Sequence, residues 1–239
     1  MYTPSTGPAP GVGGACQDVG MEEIPPIDDA AVLWSVPPAE RAGRPLLVLL
    51  HGYGSHEGDL FGLVPHLPEE FVVAALRAPL APPFPTPGWS WYPIEGLRGR
   101  APGAATAATE RLLAWLDTVT DAAASVGLLG FSQGAVIALQ ALRLRPERFA
   151  FAVNLAGFVD GDPLPTDAAL ASVRPPVFWG RGARDEVIPE DRVAHTVEWL
   201  PGHVELSGRV YPGLTHSVSQ DELDDVRAFL DIQLGRLAG

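Results

Sequence analysis

The chain contains no lysine. All 16 of its basic residues are arginine, set against 29 Asp and Glu, which leaves a net charge of −13. Alongside many Ala, Gly and Pro residues, this reads as the signature of a GC-rich coding sequence rather than a functional device. An acidic surface repels nucleic acid and anionic lipid, so neither is expected as a partner. Cysteine is nearly absent too: Cys16 stands alone, which excludes an internal disulfide and a thiolate metal site. No run of eighteen apolar residues occurs, so no membrane-spanning helix is expected. The six histidines include no His-x-x-x-His pair and no accompanying carboxylate cluster, so no metal is expected. The N-terminus lacks the basic stretch and apolar core of a secretory signal, and a cytoplasmic location is expected.

What the chain has in quantity is apolar surface. At 46% hydrophobic residues, its 239 residues can fill the core of one large domain. Residues 1–28 are the exception: rich in Pro, Gly and acidic residues, they read as a flexible tail, with Met21 as an alternative start. A single domain is then expected over 29–239. Short apolar runs at 31–36, 46–50, 71–76, 126–129, 151–155, 177–179 and 205–211 read as strands. They alternate with amphipathic stretches at 106–121, 135–142, 190–200 and the C-terminus, which read as helices. That alternation predicts an α/β domain with a mostly parallel central sheet, helices on both faces and sites outside the carboxyl ends of the strands.

Gly130-Phe131-Ser132-Gln133-Gly134 lies between the apolar run ending at Leu129 and the unbroken apolar stretch from Ala135 to Leu142. Strand, Gly-x-Ser-x-Gly, helix is the nucleophile elbow, a turn so tight that it lifts the serine hydroxyl clear of the sheet. Ser132 is therefore the expected nucleophile. Aspartate or cysteine chemistry at an elbow would place Asp or Cys there instead. A serine hydroxyl needs a base and an orienting acid, which in this fold follow it in the order Asp or Glu, then His. His216, in the turn Gly213-Leu214-Thr215-His216-Ser217 between the last strand and last helix, is the expected base. His195 and His203 flank an amphipathic stretch and read as solvent-side helix residues.

Two aspartates compete for the acid. Asp185 follows its strand through a short glycine turn, whereas Asp160 stands beside Asp162 in an open loop, at a position some lipases use. Asp185 is favoured, and Asp160 and Asp162 are expected to be solvated loop charges. The oxyanion donors are expected to be the backbone N–H groups of Gln133, after the nucleophile, and of Tyr53, in His51-Gly52-Tyr53-Gly54. His51 reads as a structural hydrogen-bonder. Phe84, Trp89 and Trp91, in the Pro-rich segment 78–103, are the expected substrate-binding residues.

Taken together, Leu50–Gly54, Gly130–Gly134, Gly182…Asp185-Glu186-Val187-Ile188-Pro189 and Gly213–Ser217 resemble the phospholipase/carboxylesterase family of α/β-hydrolases, over about residues 40–235. The resemblance implies a Ser132–Asp185–His216 triad, esterase or thioesterase activity, no cofactor and little or no cap domain. Arg77-Ala78-Pro79 and Trp89-Ser90-Trp91-Tyr92 look like the family's pocket-flanking segments, although Ser55 and Tyr92-Pro93 depart from its usual residues. The leading expectation is a carboxylesterase acting on small-molecule esters of short to medium acyl chain. A thioesterase or lysophospholipase needs the same triad and a longer channel. A non-catalytic binding protein on this scaffold is the third reading, and a monomer and a homodimer are both compatible with the sequence.

Overall fold

The computed structural model describes residues 24–94, 101–120 and 123–238. Seven strands form one sheet: β1 (Leu33–Trp34), β2 (Leu46–Leu50), β3 (Val72–Leu76), β4 (Val126–Phe131), β5 (Phe151–Leu155), β6 (Pro176–Gly182) and β7 (Glu205–Tyr211). Their spatial order is β1-β3-β2-β4-β5-β6-β7. Only the short edge pair β1–β3 is antiparallel; every other pairing is parallel. The helices are α1 (Glu57–Phe61), α2 (Ala104–Val119), α3 (Gln133–Leu144), α4 (Asp167–Val173), α5 (Glu190–His203) and α6 (Gln220–Ala238).

A parallel sheet needs cover on both faces, and its central strands are apolar throughout for that reason. All five residues of β2 and of β3 are buried. Alternate side chains serve two cores. Leu46, Val48 and Leu50 pack with Leu112, Leu116, Val136 and Leu200 on one face. Leu47, Leu49 and Leu129 pack with Leu60, Val226 and Phe229 on the other. No described element is large enough to form a cap over the carboxyl ends of the strands; α4, in the connection after β5, has seven residues.

Sheet order reverses direction at β2, which lies between β3 and β4, so the loops after β2 and β4 flank a crevice. The register aligns Leu50 with Gly130, bringing His51–Tyr53 alongside Phe131–Gln133. Two expectations for the N-terminal region are corrected. The strand expected over 31–36 is confined to Leu33–Trp34, because the Asp28 side chain accepts from Ala30 N–H at 3.0 Å and starts a 3-10 turn instead. The expected tail also ends sooner than residue 28: Ile24 and Ile27 are buried in the main core, and the Trp115 indole N–H donates to Asp29 Oδ1 at 2.6 Å. Residues 1–23, with Met21 and Cys16, lie outside the described residues.

Candidate active site

Ser132 caps the N-terminus of α3 with φ 53° and ψ −116°, a conformation that costs an L-residue on the order of 1–3 kcal/mol. The surroundings impose it. Ser132 N–H donates to Leu155 O at 2.8 Å, and its carbonyl accepts from Ala135 N–H and Val136 N–H. The approach is so close that a Cβ at Gly134 would lie 1.9 Å from Leu50 O, so glycine is required there.

Ser132 Oγ lies 2.9 Å from His216 Nε2, and His216 Nδ1 lies 2.8 Å from Asp185 Oδ2. A carboxylate can only accept, so Nδ1 carries the proton and Nε2 is left to receive the serine hydroxyl's. Asp185 is fixed from behind: Val187 N–H and Ile188 N–H donate to its Oδ1 at 2.9 and 3.2 Å. The Phe131 ring packs on the imidazole at 5.0 Å. All three expected residues therefore come together from three separate strand ends.

The loop after β2 is held by His51. Ala78 N–H donates to His51 Nε2 at 3.0 Å, so the ring proton sits on Nδ1, which donates to Gly52 O at 2.7 Å. Burial pushes the pKa of His51 down and keeps it neutral. With Gly52 O anchored this way, and also accepting from Ser55 N–H, the trans peptide directs Tyr53 N–H the opposite way. Gly52 adjoins Ser132: a Cβ there would lie 3.5 Å from Ser132 Cβ. Among the described residues, neither Tyr53 N–H nor Gln133 N–H has an acceptor within the protein. Both are available to a developing oxyanion.

Gln133 does a second thing that sequence reasoning missed. Its side chain accepts from Trp91 N–H at 2.8 Å and donates to Tyr92 O at 2.8 Å, clipping the Pro-rich segment onto the elbow. Trp91 is corrected in consequence. It is fully buried, its indole N–H donates to His51 O at 2.9 Å, and it supports the loop after β2 from inside the core. Phe84 stands 97% exposed and lines no described cavity. Trp89 is half-buried under the guanidinium of Arg77, 5.0 Å above its ring. Arg77 in turn pairs with Glu57, whose carboxyl it holds below the ordinary range.

Asp160 is corrected as well. It is 5% exposed rather than solvated, and its carbonyl accepts from the buried Arg143. His203 is stacked flat on Trp199 at 3.6 Å instead of facing solvent. His195 Nε2 is buried without a hydrogen-bond partner. Beside Asp185 opens a cavity of about 280 Å³ lined by Ala156, Gly157, Arg181, Ile188 and Val193. Among the described residues, no group of three or more His, Cys, Asp or Glu is placed to hold a metal. No described helix is long and apolar enough to cross a membrane.

A mostly parallel sheet with a serine elbow at its switch point, served by a histidine and an aspartate from later strand ends, is the architecture of an α/β-hydrolase. Residues 34–234 match the family described as Phospholipase/Carboxylesterase, and the chain belongs to that family. It is 33% identical over 105 residues to acyl-protein thioesterase 1 of Debaryomyces hansenii, covering 43% of this chain and 45% of that protein. It is 36% identical over 107 residues to acyl-protein thioesterase 1 of Candida albicans, covering 42% and 46%. The matched segments span under half the length of these curated relatives. Among solved structures, esterase PE8 superposes with a TM-score of 0.72 at 27% identity, covering 84% of this chain and 98% of its own.

Proposed function

We propose that this protein is a serine carboxylesterase that cleaves esters of short to medium acyl chain through an acyl-enzyme. The observation that carries the reading is the unbroken relay from Ser132 Oγ to His216 to Asp185 at 2.9 and 2.8 Å. His216 takes the serine proton as Oγ attacks the ester carbonyl, and Tyr53 N–H and Gln133 N–H receive the oxyanion. His216⁺ then protonates the departing alcohol, which leaves the acyl group on Ser132. Water, deprotonated by the same imidazole, releases the acid. Asp185 holds the tautomer that both half-reactions use. Trp89, beside the oxyanion loop because its N–H donates to Ser55 O and its carbonyl accepts from Gly54 N–H, is the aromatic we assign to substrate contact.

A thioesterase reading uses the same groups and is favoured by the acyl-protein thioesterases among the relatives. The oxygen-ester reading is preferred because the cavity that opens beside Asp185, at about 280 Å³, suits a short to medium acyl chain.

A fluorophosphonate should label the native protein once, at Ser132, and Ser132→Ala should abolish labelling and lower turnover of p-nitrophenyl butyrate by on the order of 10⁴ or more. A variant retaining more than about a tenth of native turnover would remove Ser132 from the chemistry. Across p-nitrophenyl acetate to palmitate, kcat/KM should climb with chain length and then fall, peaking at short to medium chains. A peak at palmitate, or a palmitoyl thioester cleaved faster than any oxygen ester, would favour the thioesterase.

A further inference from the structure

Gly180 and Gly182 of β6 form the seat on which the His216 segment rests. A Cβ at Gly182 would lie 2.1 Å from Leu214 O, and one at Gly180 would lie 2.1 Å from Glu222 Oε1. Arg184 N–H donates to Leu214 O at 2.9 Å. The stretch that delivers Asp185 thus grips the segment delivering His216 at both its ends, Leu214 and Glu222.

Glu222 is the third residue of α6, and Ser219-Gln220-Asp221-Glu222 has the spacing of a capping box. Half of the box forms: Glu222 N–H donates to Ser219 Oγ at 3.2 Å. The reciprocal bond, from Ser219 N–H to the carboxylate, is not made. The side chain turns inward instead, where it is 1% exposed and neither carboxyl oxygen has a hydrogen-bond partner. It lies against Gly180 at the edge of the Phe178 ring.

Among the described residues, no cation pairs with it there. Asp225 lies one turn along α6, and Tyr211 of β7 donates to Asp225 Oδ2 at 2.9 Å. Arg209 of β7, more than half exposed, sits 3.7 Å from Asp225. From β6, Gly180 and the Phe178 ring meet at its position, and neither is charged. Burial above all, opposed by the Ser219 hydrogen bond and reinforced by Asp225, pushes the carboxyl up to about 7.

We infer that Glu222 is a positioning residue for His216: its neutral carboxyl seats the 214–222 segment on β6, and its ionisation unseats that segment and disengages the triad. A buried carboxylate without a partner is strongly unfavourable, and its relief is rotation toward water, which lifts the start of α6 off Gly180. The inference rests on the triad reading above, but the stability effect does not. Unfolded, the carboxyl titrates near its ordinary 4.5; folded, it holds its proton to about 7. Between those values the unfolded chain has released a proton that the native protein keeps, so stability falls as pH rises across this window and stays lowered above it.

The test compares wild type, Glu222→Gln and Gly180→Ala from pH 4.5 to 9, reading kcat, KM and Tm. Wild-type kcat should fall at least about fivefold on the alkaline side with KM little changed, and Glu222→Gln should lack that fall. The Tm of Glu222→Gln should gain on wild type by about 3 °C or more between pH 4.5 and 7.5, then run parallel. Gly180→Ala, which fills the seat, should lower kcat at every pH. Coincident alkaline profiles for wild type and Glu222→Gln would overturn the positioning role. A Tm difference flat with pH, or a Gln variant that does not fold, would overturn the neutral seat. Should none of the proteins turn over any ester, the triad reading fails, and the Tm comparison still decides the seat.

Discussion

The loops after β5 and β6 each carry an aspartate just past a strand end, yet they are held in opposite ways. In the β6 loop, backbone N–H groups grip one oxygen of Asp185 and leave the other to His216. In the β5 loop the grip comes from outside. Arg143 of α3, 1% exposed, directs four hydrogen bonds at that region, two to the Asp167 carboxylate and one each to Asp160 O and Asp162 O, and a fifth to Gln140 Oε1 on its own helix. One loop presents a carboxylate to the imidazole of His216; the other buries its charges to hold a connection still. An aspartate past a strand end is therefore not enough to make a catalytic acid. What matters is whether the local turn leaves a lone pair facing the histidine.

The sharpest test of that distinction is Asp185→Asn. The amide keeps the turn but cannot fix the Nδ1–H tautomer, so kcat should fall by roughly 10²–10⁴ with the fold intact. Circular dichroism and Tm would establish the second half of that statement. A loss under about tenfold would mean that the 2.8 Å contact orients nothing the reaction needs.

Arg143→Met should do the reverse. Removing one partner of a buried, hydrogen-bonded ion pair costs roughly 3–5 kcal/mol, which in a chain of this size lowers Tm by about 10 °C. The kcat of the folded variant, measured well below its Tm, should change less than about tenfold, since the residue touches no triad member. The deficit should also depend on pH. Burial raises the carboxyl of Asp167, but the hydrogen bonds from Arg143 and Leu164 N–H, with the arginine's charge, outweigh it and hold the group below its ordinary value. A lowered folded value gives stability that is fully present above the unfolded value of 3.8 and is lost as pH falls through the folded one. Wild type and variant should accordingly converge in strong acid. A Tm gap that stays constant down to pH 2 would show that the ion pair is not the source of the stabilisation.

The contrast between the loops also marks what could be read from the sequence. The elbow was legible because its geometry leaves no choice of residue: with Gly134 against Leu50 O, only glycine fits, and the spacing around Ser132 records that. The buried strands were legible because a sheet covered on both faces needs continuous apolar runs, and β2 and β3 have them. Asp185 stood out because a short glycine turn ties it to β6. The Arg143 network left no such trace. Two of its five acceptors are backbone carbonyls, which every residue has, and the other three lie on Asp167 and Gln140 with no motif to link them. An arginine on an apolar helix reads as a surface residue until the loop folds over it. Trp89 and Trp91 were indistinguishable for a related reason. An irregular Pro-rich segment has no periodicity to say which ring turns inward, and the hydrogen bond from Trp91 to His51 O spans 40 residues. Ile24 and Ile27 were hidden by Pro25-Pro26 between them, which masks two core residues inside a stretch that reads as loop. Glu222 carries the spacing of a surface cap, and only Gly180, 42 positions earlier, draws it inward.

Asp160→Asn is the smallest expected effect and the one that separates the two loops most cleanly. A solvated loop charge would change nothing on substitution, and a catalytic acid would lose orders of magnitude in kcat. A buried structural carboxylate does neither. At 5% exposure, exchanging one oxygen for an amide should cost about 1–3 kcal/mol of stability, the order of penalty for a buried polar group whose pairing is disturbed. Over a chain of this length that is a Tm lower by roughly 3–8 °C, with kcat within about threefold of wild type. Combining Asp160→Asn with Arg143→Met should give less than the sum of the two Tm losses, since Arg143 binds the Asp160 carbonyl and both act on the same loop. If Asp160→Asn instead lowered kcat a hundredfold while Asp185→Asn left it near wild type, the acid would lie on the β5 loop, and the contact between Asp185 and His216 would be the structural one.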